Sequence, residues 1–205
     1  MREPVLEPFL RRMRLRRVLA CLRDVHYPTV LDIGCGWDAR LLRELEPHIA
    51  KGVGIDFKAP EIHTEKLSTQ SVVLERNLPF PDASFDVVTM LAVLEHLDYP
   101  VDILSEISRV LKPGGGLIAT VPSRLAKPVL EFLSYRLGLV STSEIKDHKA
   151  YYNREDLHAL IAEIPGLKIR QHYYFQWKFN NFIFVGKADH SVSGQSGNQI
   201  STSDS

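Results

Sequence analysis

Thr29-Val30-Leu31-Asp32-Ile33 is a short, apolar, β-branched run that breaks at once into Gly34-Cys35-Gly36. A buried strand ending in two closely spaced glycines constrains this chain more than any other stretch. Such a turn allows positive φ and lets a ligand approach the backbone. About 20 residues past the turn, Gly52-Val53-Gly54-Ile55 reads as a second strand closed by Asp56. Ser71 to Leu74, Phe85 to Met90 and Leu117 to Val121 read as further strands, and Ile169–Phe175 and Phe182–Gly186 as the last two. Between them, helical spacing marks Phe9 to Leu22, Leu41 to Leu45, and Val101 to Lys112, the last stopped by Pro113-Gly114-Gly115-Gly116. Asn153 is placed to cap a final helix running to about Glu163. Strands alternating with helices give βαβ units and a parallel sheet covered on both faces. Ligands of such sheets bind at the carboxyl ends of the strands, so the chemistry belongs just after each one.

Composition bounds the rest. The 205 residues hold 25 Lys+Arg against 25 Asp+Glu, which argues against a dedicated nucleic-acid binder. Two cysteines, Cys21 and Cys35, exclude a disulfide scaffold and fit a reducing compartment. No apolar run approaches about 18 residues, and Met1 leads into Arg2-Glu3-Pro4 rather than an apolar signal, so the expectation is a cytoplasmic protein with no membrane span. Residues 1–187 are expected to form one domain, with an N-terminal helix over about 9–23. Residues 188–205, mostly Ser, Gly, Gln, Asn and Thr, are expected to be a disordered tail.

The glycine turn admits two ligands. Gly34-Cys35-Gly36-Trp37-Asp38-Ala39 satisfies the dinucleotide pattern with Ala in its third glycine slot, which makes a nicotinamide-dependent oxidoreductase one alternative. Electrostatics points elsewhere. A pyrophosphate seeks the positive end of a helix, yet Asp32 and Asp38 flank this turn with carboxylates. S-adenosyl-L-methionine carries an ammonium and a sulfonium and no phosphate, and suits that setting better. Asp56 would accept the ribose hydroxyls in either case, and Phe57 could pack on adenine.

Four blocks in order carry a family resemblance. They are Val30-Leu31-Asp32-Ile33-Gly34-Cys35-Gly36, Leu78-Pro79-Phe80-Pro81-Asp82-Ala83-Ser84-Phe85-Asp86, Val93-Leu94-Glu95-His96-Leu97, and Arg109-Val110-Leu111-Lys112-Pro113-Gly114-Gly115-Gly116. With them the chain resembles the class I S-adenosylmethionine-dependent methyltransferases over residues 15 to 186. The resemblance implies an α/β fold, a three-layer Rossmann-like sandwich whose seven-stranded, mostly parallel sheet has an antiparallel last strand. It implies cofactor binding by Gly34, Cys35 and Gly36 at the turn, Asp32 near the methionine part and Asp56 on the ribose. It further implies that the backbone of Met90 and Leu91 meets the ammonium. Glu75 and Asn77 compete for the adenine, next to Leu78. The family's third glycine is absent, with Asp38 in its place.

Methyl transfer depends on aligning the acceptor with the cofactor, and a base helps when the acceptor is a hydroxyl. His96 follows the fourth strand and is the candidate catalytic base; alternatively Glu95 and His96 only order that loop. A metal ligand set there would need a third member at Ala92, so no metal is expected. The acceptor is expected to be a small molecule, glycan or lipid-linked compound methylated on O or N. A lid is expected over about 123–152, with a helix at 127–137 and with His148, Lys149, Tyr151 and Tyr152 as its notable side chains. The aromatic final hairpin leaves Gln176, Trp177, Lys178 and Asn180 at the rim. Arginines 11, 12, 14, 16 and 17 have three readings: a solvated helix face, a contact with an acidic substrate or partner, or attachment to a membrane surface. A domain that binds cofactor but serves as a partner-binding module is the alternative function.

Overall fold

The computed structural model describes residues 7–126 and 149–189. Helix α1 (Glu7–Leu22) leads into β1 (Thr29–Ile33), α2 (Arg40–Leu45), β2 (Lys51–Asp56), β3 (Leu67–Ser71) and β4 (Phe85–Leu91). Then come α3 (Pro100–Val110), β5 (Leu111–Pro122), α4 (Arg154–Ala162), β6 (Leu167–Phe175) and β7 (Asn180–Lys187). Seven strands form one sheet in the order β3-β2-β1-β4-β5-β7-β6. β7 runs antiparallel to both its neighbours, and the other pairings between these strands are parallel.

Alternation along the strands feeds two cores. Leu31, Ile33, Val88 and Met90 pack with Ile103, Leu104, Ile107 and Val110 of α3 and with Leu157 and Ile161 of α4. On the opposite face, Val30, Val87 and Ile118 pack with Leu42 and Leu45 of α2 and with Val18 and Leu22 of α1. The three layers follow directly. α3 starts with Pro100 and Asp102 in its first turn and ends with Arg109 in its last, a charge order that suits the helix dipole. At α4, the Asp156 carboxylate accepts the Asn153 N–H at 2.8 Å and fixes the expected start.

Two elements differ from expectation. β3 lies four residues earlier than the apolar Val72-Val73-Leu74 suggests. Its place is set by Thr69, 3 % exposed, whose hydroxyl accepts the Ile62 N–H at 2.9 Å and donates to the Pro60 carbonyl. α3 stops at Val110, and the Pro-Gly-Gly-Gly block lies inside β5 rather than before it. There the register with β4 slips between Phe85 and Val87. A Cβ at Gly115 would lie 2.8 Å from the Asp86 carbonyl oxygen, and one at Gly116 would lie 2.5 Å from the Phe184 ring, so the bulge admits only glycine. The expected helix at 127–137, His148 and most of the expected lid and tail fall outside the described residues.

Candidate functional site

β1, β2 and β4 are neighbours, so their carboxyl ends open at one place. The Gly34 and Cys35 N–H groups both donate to the Ile55 carbonyl, at 2.8 and 3.1 Å, which staples the turn to the end of β2. Gly34 and Gly36 have φ of 80° and 72°, the left-handed region that disfavours side chains. The Gly36 N–H then donates to Asp56 Oδ2 at 3.1 Å, and the Lys58 N–H to Oδ1 at 2.7 Å. The two sequence motifs therefore form one hydrogen-bonded unit. A carboxylate has about four acceptor positions, so Asp56 keeps two for a ligand. A Cβ at Gly36 would meet nothing within 4 Å, which leaves the backbone there open to an approaching molecule.

The end of β4 closes on the same turn. A Cβ at Gly34 would stand 2.3 Å from Val93 Cγ2, so Val93, the first residue of the third family block, packs where only a glycine leaves room. Ala92 beside it has φ of 59°, and its N–H donates to the Thr120 carbonyl at 2.8 Å. Met90 is fully buried and pairs with Ile33 and Ala119 in the sheet, and Leu91 is half-buried. Asp32 is 3 % exposed and accepts one hydrogen bond, from the Thr89 hydroxyl at 2.7 Å. Burial pushes its carboxyl up to about 7, against the Thr89 bond, with Asp56 adding to the rise. Cys35 turns its thiol into the core against Gly54, and burial with Asp32 and Asp56 pushes it up to about 12. Its backbone alone stays at the turn.

The adenine candidates are less tightly placed. Phe57 is exposed, with Lys58 Nζ 4.6 Å from its ring centroid. Glu75 and Asn77 are both exposed on the loop that leaves β3, where the Val72 N–H bonds to the Asp56 carbonyl at 3.1 Å. Leu78 is buried instead. Its N–H donates to Glu106 at 2.9 Å and its carbonyl accepts from Arg109 at 3.1 Å, so its ties run to α3.

His96 ends a short 3-10 turn, Leu94–His96, and is half-buried. Glu95 before it is 1 % exposed, and its Oε2 makes no hydrogen bond. Burial pushes this carboxyl up to about 8, opposed by Arg14 of α1. The Glu95 carbonyl accepts the Lys149 and Ala150 N–H groups at 2.8 and 3.2 Å. Thr120 Oγ1 is likewise buried without a partner, and burial and Glu95 together raise Tyr152. Burial of Glu95 has no signature in sequence, since a Glu after a 3-10 leucine reads as exposed. Among the described residues no group of three His, Cys, Asp or Glu could hold a metal ion. A surface groove of about 550 Å³ lies elsewhere, between the end of α1 and Pro47-His48, and has neither glycine turn nor acid pair.

Residues 31–119 match a family model described as a methyltransferase domain. The chain is 36 % identical over 110 residues to a ubiquinone biosynthesis O-methyltransferase of Nitrosococcus oceani, covering 49 % of this chain and 46 % of that one. It is 35 % identical over 115 residues to a demethylmenaquinone methyltransferase of Lactiplantibacillus plantarum, covering 50 % and 48 %. The chain thus spans about half the length of these curated relatives. Its fold is similar to that of Burkholderia thailandensis 1,6-didemethyltoxoflavin-N1-methyltransferase, solved with bound 1,6-didemethyltoxoflavin and S-adenosylhomocysteine, at a TM-score of 0.63 and 14 % identity over 86 % of this chain and 79 % of that one.

Proposed function

We propose that this chain, which belongs to the class I S-adenosylmethionine-dependent methyltransferases, methylates a hydroxyl oxygen of a small-molecule acceptor. The observation that carries the reading is the Gly36 N–H bond to Asp56 at 3.1 Å beneath open space. It sets an acid with spare acceptor capacity beside bare backbone, a cradle for an adenosine ribose. The acidic surroundings fit a cationic ligand. S-adenosylmethionine, when bound, supplies an activated methyl group on its sulfonium.

Asp56 would hold the ribose, Gly34, Cys35 and Gly36 would contact the ligand through backbone, and Asp32 would lower the cost of its positive charge. Backbone at Met90 and Leu91 would receive the ammonium. Phe57 would cover the adenine, whose edge Glu75 or Asn77 would bind, with Leu78 fixing the loop from behind. His96 would accept the acceptor's hydroxyl proton, and in-line alignment alone contributes on the order of 7–11 kcal/mol to such a reaction. The name of the ubiquinone-biosynthesis O-methyltransferase favours oxygen as the atom methylated, and the quinones named in both relatives favour a small-molecule acceptor.

The test is transfer of labelled methyl from S-adenosylmethionine into a small-molecule extract, with the product identified by mass. Label in an ether linkage supports the reading; no transfer to any acceptor sinks it. A base of this kind contributes roughly 10²–10⁴-fold. His96→Ala activity within a few-fold of wild type would make His96 structural.

A further inference from the structure

We propose that the tip of the β6–β7 hairpin and the adjoining face of α1 form a docking surface for an anionic lipid bilayer. The tip stands at the carboxyl end of β5, where Pro122 pairs with Asn180. There the Ser123 N–H donates to the Phe179 carbonyl at 2.8 Å and its hydroxyl to the Lys178 carbonyl at 2.7 Å. Gln176, Trp177 and Lys178 have φ of 52°, 59° and 70° in succession. Three consecutive residues other than glycine in the left-handed region are costly, and such strain persists only where the surroundings fix it. Here the fixing bonds are those from Ser123, the Phe179 N–H to the Gln176 carbonyl at 3.0 Å, and the Asn180 amide to Gln176 Oε1. Their effect is to leave the Trp177 side chain 92 % exposed.

α1 lies against this tip, with Gln176 Nε2 3.7 Å from Met13 Sδ. Phe9, Arg12, Met13 and Arg16 are spaced i, i+3, i+4 and i+7, so they share one helix face. Phe9 is 62 % exposed, and Arg12 and Arg16 are exposed and take part in no ion pair among the described residues. Lys178 is also exposed, and Leu125, two residues past the Ser123 tie, is 59 % exposed. The inner arginine of the same helix differs. Arg17 stacks 4.0 Å from the Phe175 ring centroid and bonds to the Met13 carbonyl, so it anchors the helix rather than serving the surface.

Separate apolar side chains standing among unpaired cations suit a headgroup layer, where tryptophan and phenylalanine reach the acyl boundary and Lys and Arg meet lipid phosphates. A protein partner would need a pocket for each projecting side chain, whereas a fluid surface needs none. Charge complementarity selects anionic lipid. The docking itself does not depend on the methyl-transfer reading. It would set the acceptor end of the sheet against a membrane if the acceptor is lipid-linked.

Trp37 and Trp177 are the two tryptophans, so the Trp37→Phe variant reports on Trp177 alone, and binding is read without any activity. With vesicles of phosphatidylcholine and phosphatidylglycerol, its emission should shift to the blue and be quenched by brominated acyl chains. Arg12→Glu with Arg16→Glu should reduce partitioning roughly tenfold or more, as should high salt, while circular dichroism shows the fold intact. Trp177→Ala in the wild-type background should weaken co-sedimentation with the same vesicles. Unchanged emission with anionic vesicles overturns the proposal in favour of a protein-facing surface. Equal binding to phosphatidylcholine alone, or binding untouched by the three substitutions, overturns it as well.

Discussion

The Asp32 carboxyl is pushed up to about 7 because one hydroxyl bond does not offset its burial. A cationic ligand beside it favours the ionised form. Binding should therefore expel a proton when the pH lies below about 7 and expel almost none above it. The expected affinity falls by up to about tenfold per pH unit below that point. Calorimetry of S-adenosylmethionine in buffers of different ionisation enthalpy measures the proton directly, and its absence at pH 6 would separate Asp32 from the ligand's charge. Glu95 poses the same problem without a ligand. Its carboxyl is raised from 4.5 to about 8, so the folded chain binds the proton more tightly than the unfolded chain does. That contribution to stability is complete below pH 4.5 and is lost as pH rises through about 8. Glu95→Gln removes the titration while keeping the shape. It should therefore be more stable than wild type at pH 8, by about 1–3 kcal/mol, and nearly equal at pH 5, as denaturant unfolding at the two pH values would show. Equal stability at both would mean that Glu95 is ionised and paired.

At the scale of elements, two sequence blocks that look independent are one assembly. Arg109 of α3 donates to the carbonyls of Leu78 and Phe80, to Asp82 and, through two nitrogens, to Glu106, at 2.7 to 3.1 Å. It thereby pins the proline turn before β4 to the helix after it. Lysine has the charge but not the planar fork, so Arg109→Lys should lower stability by about 1–3 kcal/mol, seen as a reduced urea midpoint. An unchanged midpoint would show that the turn holds itself. Much of this scale was readable in advance. β1, β2 and β4 are β-branched or apolar because both their faces are covered, and Gly34 and Asp56 announce themselves by type and spacing. β3 is illegible to periodicity because it is an edge strand positioned by Thr69, whose hydrogen bonds join residues that periodicity cannot pair with it. The start of β5 is hidden in sequence because three glycines inside a strand read as a break, and the Asp86 carbonyl and the Phe184 ring account for Gly115 and Gly116 only once the sheet is assembled. Burial of Glu95 and the split of the arginines into exposed Arg12 and Arg16 and stacked Arg17 depend on tertiary packing.

Across the whole molecule, the zero net charge of the sequence is a sum over unlike regions of one edge of the sheet. Carboxylates occupy the ends of β1 and β2, and the exposed cations Arg12 and Arg16 of α1 and Lys178 of the β6–β7 tip stand apart from them. The first region decides between a cationic nucleoside ligand and a dinucleotide, and global stability can register the decision. A ligand that binds only the folded chain stabilises it by about 2.7 kcal/mol at a hundredfold excess over its dissociation constant. For a chain of this length that is a rise in Tm of about 5–10 °C. S-adenosylmethionine should produce the rise and NAD should not, since a diphosphate at the glycine turn would be flanked by the acids Asp32 and Asp38. Asp56→Ala should abolish most of it. The carboxylate's charge-assisted bonds to a ribose contribute about 1.5–3 kcal/mol each; a loss of roughly 2–4 kcal/mol in binding means that the concentration giving wild type about 2.7 kcal/mol gives the variant about 1 kcal/mol or less. A melt in which NAD stabilises and S-adenosylmethionine does not would return the glycine turn to the dinucleotide reading. A full rise in a folded Asp56→Ala variant would place the ribose somewhere other than the end of β2.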